Sequence, residues 1–229
     1  MKLNSMSYSI LIPIYNEKRT LPTLLQKVRK LNKNIEVIII DDGSTDGTHK
    51  LLSNQKSIHV VTNELNSGKG FSIRKGIENA KNKNIILIDG DLEVDIEEIP
   101  RLIQKFENNN KKVLVGTRWN KDSNFKFEIN SIGNSLINFF FNLLYKTKLN
   151  DVLCCFKIVN ADFLRSLNIQ SNGFEIEVET MAKIILSKIS FKEININYKR
   201  RTVRQGKKIR LSDGWKILWT IIFYKLKRN

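Results

Sequence analysis

The hydrophobic pattern opens on an apolar run from Tyr8 to Pro13, passes to helically spaced apolar positions between Leu21 and Leu31, and returns to an unbroken run from Ile35 to Ile40. The two runs read as strands, the second with burial on both faces, and a helix stands between them. Helix and strand then keep alternating. Thr48–Leu52 reads as helix, Ile58–Thr62 as strand, Gly70–Lys81 as helix, Ile85–Ile88 as strand, Pro100–Glu107 as helix and Val113–Val115 as strand. This order predicts an α/β sandwich around a mostly parallel sheet. After Gly116 the pattern loosens into a polar segment and a long uncharged helix. A strand near Val152–Val159, a helix over Glu175–Ser187, a strand over Lys192–Tyr198 and a helical tail from Asp213 follow. No repeat or low-complexity linker divides the chain, so one domain over residues 1–229 is expected, with halves of about 1–118 and 119–229.

The uncharged stretch Ile129–Tyr145 is shorter than the roughly 20 apolar residues of a membrane-spanning helix, and it carries Asn130, Asn134, Asn138 and Asn142. Every fourth residue on a helix forms one stripe, so this segment reads as amphipathic, with Ile132, Leu136, Ile137, Phe139, Phe140, Phe141, Leu143 and Leu144 covering the rest. A core-packing helix and a helix lying in the plane of a membrane both fit. No hydrophobic run of signal-peptide length precedes Glu17, so no targeting or transmembrane segment is expected and a cytoplasmic location follows.

Composition narrows the partners. In 229 residues, 39 Lys+Arg stand against 23 Asp+Glu, a formal charge of +16, which favours a polyanionic neighbour: nucleic acid, a phosphorylated substrate or an anionic membrane. The two cysteines, Cys154 and Cys155, are too few for a disulfide framework or a four-ligand zinc site. Nucleic acid is disfavoured, because the expected strand ends are acidic and no nucleic-acid motif is present.

Ligands in open α/β sheets bind beyond the carboxyl ends of the strands. There the second strand runs into Asp41, Asp42, Gly43, Ser44, Thr45, Asp46 and Gly47, and the strand ending at Ile88 runs into Asp89, Gly90, Asp91, Leu92 and Glu93. The first loop also reads as turn and capping chemistry, with Thr45 or Asp46 capping the next helix. The second is the stronger candidate, because two carboxylates flanking one glycine repel each other unless a cation or donors compensate. Magnesium or manganese with a diphosphate suits such a pair. The segment Asn66–Lys75 fits neither the Walker pattern nor the dinucleotide fingerprint, since its glycines are wrongly spaced. It leaves a basic helix start that offers Lys69 to a phosphate.

In order along the chain stand PIYNE at Pro13–Glu17, DDGSTDGT at Asp41–Thr48, NSGKG at Asn66–Gly70, DGDLE at Asp89–Glu93 and GTR at Gly116–Arg118. DVLCCFK at Asp151–Lys157, GFEIEVE at Gly173–Glu179 and YKRRTVRQGKKI at Tyr198–Ile209 complete the set. The set resembles the family-two glycosyltransferases of GT-A fold, and among them the polyprenyl-phosphate (dolichyl-phosphate) mannose and glucose synthases. The resemblance implies an α/β/α sandwich whose sheet holds an antiparallel strand or two, with a nucleotide-sugar half and then an acceptor half. It implies that Pro13, Tyr15, Glu17, Asp42, Lys69, Asp89, Gly90 and Asp91 bind the nucleotide sugar, that Asp89, Asp91 and Glu93 hold Mg2+ or Mn2+, and that Arg118, Arg201 and Lys208 meet the diphosphate or the acceptor phosphate. The family usually has glycine where this chain has Cys155.

The implied reaction is an inverting transfer of a hexose from a nucleotide-diphosphate sugar to a polyprenyl phosphate. Asp91 and Arg118 would act at the leaving group, with Glu175 and Glu177 on the acceptor side. The three acids Glu175, Glu177 and Glu179 read equally well as helix-start charges. Transfer to a glycan hydroxyl remains the alternative, and it would need a general base. The basic run Lys199–Arg210 ahead of the aromatic tail helix suits peripheral binding to the inner face of the cytoplasmic membrane.

Overall fold

The computed structural model describes residues 8–55, 57–118, 129–201 and 211–227. Seven strands form one sheet: β1 (Tyr8–Ile14), β2 (Ile35–Asp41), β3 (His59–Thr62), β4 (Asn84–Leu87), β5 (Val113–Thr117), β6 (Lys157–Asn160) and β7 (Phe191–Asn195). Their spatial order is β3-β2-β1-β4-β6-β5-β7. All run parallel except β6, which is antiparallel to both β4 and β5. This is the mixed, mostly parallel sheet that the resemblance implies.

Among the described residues eight α-helices cover the sheet: α1 (Leu21–Arg29), α2 (Thr48–Leu52), α3 (Lys69–Asn79), α4 (Ile99–Glu107), α5 (Ile129–Tyr145), α6 (Ala161–Ser166), α7 (Ile176–Leu186) and α8 (Leu211–Leu226). The strands are apolar on both faces because each face is covered. Ile10, Ile12, Ile39, Ile86 and Ile158 pack toward α1 and α4. Leu11, Ile38, Ile85, Leu87, Val113 and Val159 pack toward α3, α5, α6, α7 and α8. Alternation along each strand sends successive residues into opposite layers.

The parallel register brings Ile14, Asp41, Thr62, Leu87 and Thr117 to one edge of the sheet. Because β6 runs the other way, its first residue, Lys157, pairs with Leu87 and Val115 at that same edge.

Three local expectations are corrected. The strand expected over Val152–Val159 begins only at Lys157. Ahead of it, the Val152 N–H donates to Asn138 Oδ1 and the Cys154 N–H to the Asp151 carbonyl, so these groups do not enter a ladder. The strand expected to reach Tyr198 ends at Asn195, where the chain crosses to the β4 side and forms a lone bridge between Tyr198 and Val94. On α5, Asn138 and Asn142 of the asparagine stripe turn inward. The Asn138 and Asn142 amides both donate to the Leu149 carbonyl, and Asn142 Oδ1 accepts from the Leu149 N–H. Leu136, Phe139 and Leu143 consequently face outward, each more than 60% exposed. No helix among the described residues is long and apolar enough to cross a membrane.

Candidate active site

The site gathers on the strand-end edge. Its floor is the turn after β4, where Gly90 packs beneath Ile12 and Ile14. A Cβ there would collide with the Ile14 side chain, so glycine is required for the turn to sit against β1. The turn holds Asp89 and Asp91 on either side. The Asp91 carboxyl is pushed up to about 7, chiefly by burial and then by the charges of Asp89 and Glu93. A carboxyl so disfavoured as an anion lacks enough positive charge nearby.

The first source of positive charge is Lys69, at the start of α3. Its Nζ lies 2.6 Å from Asp89 Oδ1 and 2.8 Å from Glu177 Oε1. Burial opposes the ammonium, but Asp89 and Glu177 hold its pKa well above the ordinary lysine value. Glu177 in turn accepts from Lys157 Nζ, whose side chain is wholly buried and also donates to the Cys154 carbonyl at 2.6 Å. Charges therefore alternate from the sheet to the turn: Lys157, Glu177, Lys69, Asp89. Although burial raises it, the Glu177 carboxyl is held below the usual carboxylate range by Lys157 and Lys69.

At the start of α3 two backbone N–H groups are already engaged. The Gly70 and Phe71 N–H groups donate to the Asn172 carbonyl at 2.7 and 3.1 Å. A side chain at Gly70 would collide with the Ser171 carbonyl, so the glycine admits this loop. Only the Lys69 ammonium stays turned toward the site.

Arg201 supplies the second positive group. It forms a two-pronged pair with Glu17 at 2.9 and 3.0 Å, and its guanidinium lies 3.6 Å from Asp91 Oδ2. Its backbone N–H donates to Glu93 Oε1 at 2.8 Å, and the Tyr198 hydroxyl donates to Glu93 Oε2 at 2.6 Å. Both Glu93 oxygens thus tie the segment after β7 to the turn after β4. Arg118, at the end of β5, is gripped by Asp151 through Nε and Nη2, each at 2.7 Å, and stacks 5.3 Å from the centre of the Tyr198 ring.

The remaining expected residues fall at the same edge or beside it. Pro13 is the next-to-last residue of β1, shortly before Tyr15 and Glu17, and Asn16 ties this loop to the one after β2 by accepting from the Thr45 and Asp46 N–H groups. Asp42 is buried. Its oxygens accept from Asn63 Nδ2, Ser67 N–H and Gly68 N–H at 2.8 to 2.9 Å, so it braces the loop leading into α3. Asp46 accepts from the Thr48 N–H and hydroxyl, but the N-cap of α2 is Gly47 and no side chain caps the helix, so the capping expected of Thr45 or Asp46 is not found. Glu175 accepts from the Gly173 N–H, a local turn contact. Glu175 stands at the N-cap position of α7 and Glu177 and Glu179 lie in its first turn, as the helix-start reading expects, though Glu177 also sits in the ion-pair chain and Glu179 accepts from the Gln170 and Ser171 N–H groups. Lys208 lies outside the described residues.

Sequence reasoning missed Lys157, Asp151 and Tyr198. A lysine inside the apolar stretch Phe156–Val159 was the available signal, since a lysine is almost never buried without a partner.

Among the described residues no three acidic, histidine or cysteine side chains converge as a ready-made metal cage. Two carboxylates on one turn nevertheless suit magnesium or manganese, which commonly take one or two protein carboxylates and complete their shell with substrate phosphates and water.

Residues 9–167 match the family described as Glycosyl transferase family 2. An uncharacterised protein of Methanocaldococcus jannaschii is 30% identical over 73% of this chain and 77% of its own length. A dodecaprenyl-phosphate galacturonate synthase of Rhizobium johnstonii is 27% identical over 73% of this chain and 52% of its own length, so the chain spans about half of that relative. A dolichyl-phosphate beta-glucosyltransferase of Dictyostelium discoideum is 26% identical over 86% and 67%. Among solved structures, glucosyl-3-phosphoglycerate synthase from Mycobacterium tuberculosis, in complex with Mn2+, uridine diphosphate and phosphoglyceric acid, superimposes with a TM-score of 0.75. It covers 96% of this chain and 78% of its own, at 16% identity, a likeness of fold. The strand-end carboxylates, the sheet and these matches agree that the chain is a glycosyltransferase and belongs to glycosyl transferase family 2.

Proposed function

We propose that this glycosyltransferase moves a hexose from a nucleotide-diphosphate sugar to a polyprenyl phosphate, with inversion at the anomeric carbon. The observation that carries the reading is one carboxylate-lined turn, Asp89–Asp91, faced by Lys69 on one side and Arg201 on the other. That arrangement suits a diphosphate leaving group bound with a divalent cation. The named relatives that act on dodecaprenyl and dolichyl phosphates support a lipid phosphate as acceptor.

In this reading Asp89 and Asp91 hold Mg2+ or Mn2+, which when bound neutralises charge on the departing diphosphate. Glu93 has both oxygens engaged by Tyr198 and Arg201, so it acts by fixing Arg201 rather than as a third ligand. Pro13, Tyr15 and Glu17 line the nucleotide side, and Asp42 shapes that wall through the loop it braces. Lys69 steadies Asp89 and meets the diphosphate, while Arg118, Arg201 and Lys208 meet the acceptor phosphate. A phosphate acceptor is already ionised near neutral pH and needs no general base, in keeping with Glu177 being locked between two lysines. Peripheral work at the cytoplasmic face of a membrane follows from a lipid acceptor. Asp91→Asn tests the cation reading: metal-dependent transfer should vanish while the thermal unfolding midpoint holds, and retained turnover would overturn it.

A further inference from the structure

Two anchors bracket Lys69. Ahead of it, Asp42 accepts from the Ser67 and Gly68 N–H groups; after it, the Asn172 carbonyl accepts from the Gly70 and Phe71 N–H groups at 2.7 and 3.1 Å. The second anchor belongs to the loop of residues 170–172, between α6 and α7. Arg74 of α3 reaches over this loop, donating to the Gln170 and Ser171 carbonyls and to Asn172 Oδ1. All three loop carbonyls therefore turn toward α3. The Gln170 and Ser171 N–H groups turn the other way, to Glu179, at 2.7 Å each.

Glu179 is buried, so its donors decide how its carboxylate is turned. The two oxygens meet two successive loop N–H groups in only one rotation. Lys183 donates to Oε1 at 2.6 Å from one turn further along α7 and moves with that helix. Tyr224, on α8, donates to Oε1 at 2.7 Å, and of the four donors it alone belongs neither to α7 nor to the loop. Its ring is fixed in turn, buried in the core cluster with the Lys183 ammonium 4.7 Å from its centre. The hydroxyl thus holds a carboxylate, the carboxylate a loop, and the loop the first turn of the helix that carries Lys69.

We propose that Tyr224 is a positioning residue for the donor side of the site: through Glu179 and the 170–172 loop it keeps the start of α3, and with it the Lys69 ammonium, in place against Asp89. Its functional sense rests on the reading that Lys69 meets the donor diphosphate.

Tyr224→Phe removes the hydroxyl and keeps the ring. Amide hydrogen exchange followed by NMR reads the relay without any ligand. Relative to the amides of β1, those of Gln170, Ser171, Gly70 and Phe71 should exchange about fivefold faster in this variant. Tyr145→Phe is the control. It removes another buried hydroxyl, the donor to the Ile221 carbonyl of α8, which does not bond Glu179, so the same four amides should exchange as in the unaltered chain. Unchanged exchange in Tyr224→Phe, faster exchange that stops at Gln170 and Ser171, or equal acceleration in both variants would each overturn the proposal. Titration calorimetry with Mn2+ and inorganic pyrophosphate reads the consequence. Tyr224→Phe should bind about fivefold more weakly than the unaltered chain. In a Lys69→Met background the same substitution should make no further difference, because effects routed through one group do not add; a further loss there would overturn the proposal. Binding by Lys69→Met as tight as that of the unaltered chain, or none by either, would instead count against the diphosphate role of Lys69, and the exchange result would still decide the relay.

Discussion

Replacing Glu177 by glutamine removes the central anion from a chain of four alternating charges. Lys157, its side chain entirely out of solvent, then keeps no anionic partner, and Lys69 keeps only Asp89 as one. Breaking a buried pair by removing one partner costs about 3–5 kcal/mol, because the surviving charge stays desolvated and uncompensated. Removing the second charge should relieve part of this, so Glu177→Gln with Lys157→Met should recover about 2 kcal/mol of what Glu177→Gln loses. Urea unfolding of the two single variants and the double variant closes the cycle. Kinetics supply a second readout. If Glu177 positions Lys69, its loss raises the KM for the donor more than it lowers kcat, and the acid limb of the pH profile stays where it is. A Glu177→Gln variant that loses less than about 1 kcal/mol, or one whose acid limb disappears, would refute this reasoning and return Glu177 to a base-like role.

Two further perturbations separate neighbouring roles. Glu93→Gln should loosen Arg201 and Tyr198, raising substrate KM severalfold while Mn2+ affinity, read by titration calorimetry, stays within about tenfold; a collapse of Mn2+ affinity would make Glu93 a ligand. Glu179 accepts four hydrogen bonds at 2.6 to 2.7 Å, from Gln170, Ser171, Lys183 and Tyr224. Burial opposes its charge, yet these donors hold it below the usual carboxylate range. A depressed pKa stabilises the fold above the unfolded value, and that contribution fades as pH falls through the folded one. Glu179→Gln should therefore cost about 3 kcal/mol near neutral pH and flatten the loss of stability on acidification; an acid slope parallel to that of the unaltered chain would contradict it.

The first half of the chain was the more legible. The runs Tyr8–Pro13 and Ile35–Ile40 are buried from both sides, and a strand so placed needs apolar residues throughout, so periodicity and structure agree. The helix over Thr48–Leu52 falls where the pattern puts it. The strand-end loops announced themselves because the parallel register delivers Asp41 and the turn after β4 to one edge. The second half was harder, because side chains there replace backbone as partners. Asn138 and Asn142 look like a solvent stripe until the Leu149 and Val152 backbone claims them, a contact across a loop that helical spacing does not encode. Glu93 sits where its neighbours suggest a ligand, and only the return of Tyr198 and Arg201 from β7 reveals its partners. Lys157 and Glu177 lie on different elements, and their pairing depends on the antiparallel insertion of β6, which local pattern does not announce.

The central claim is the transfer itself. Purified chain is incubated with a panel of nucleotide-diphosphate sugars, Mn2+ or Mg2+, and a short polyprenyl phosphate, with a glycan-hydroxyl acceptor in parallel, and the products are separated and weighed by mass spectrometry. The account predicts a polyprenyl phosphate that has gained one hexose, formed with at least one donor and lost on chelation. Transfer to the hydroxyl acceptor with none to the lipid phosphate would contradict it.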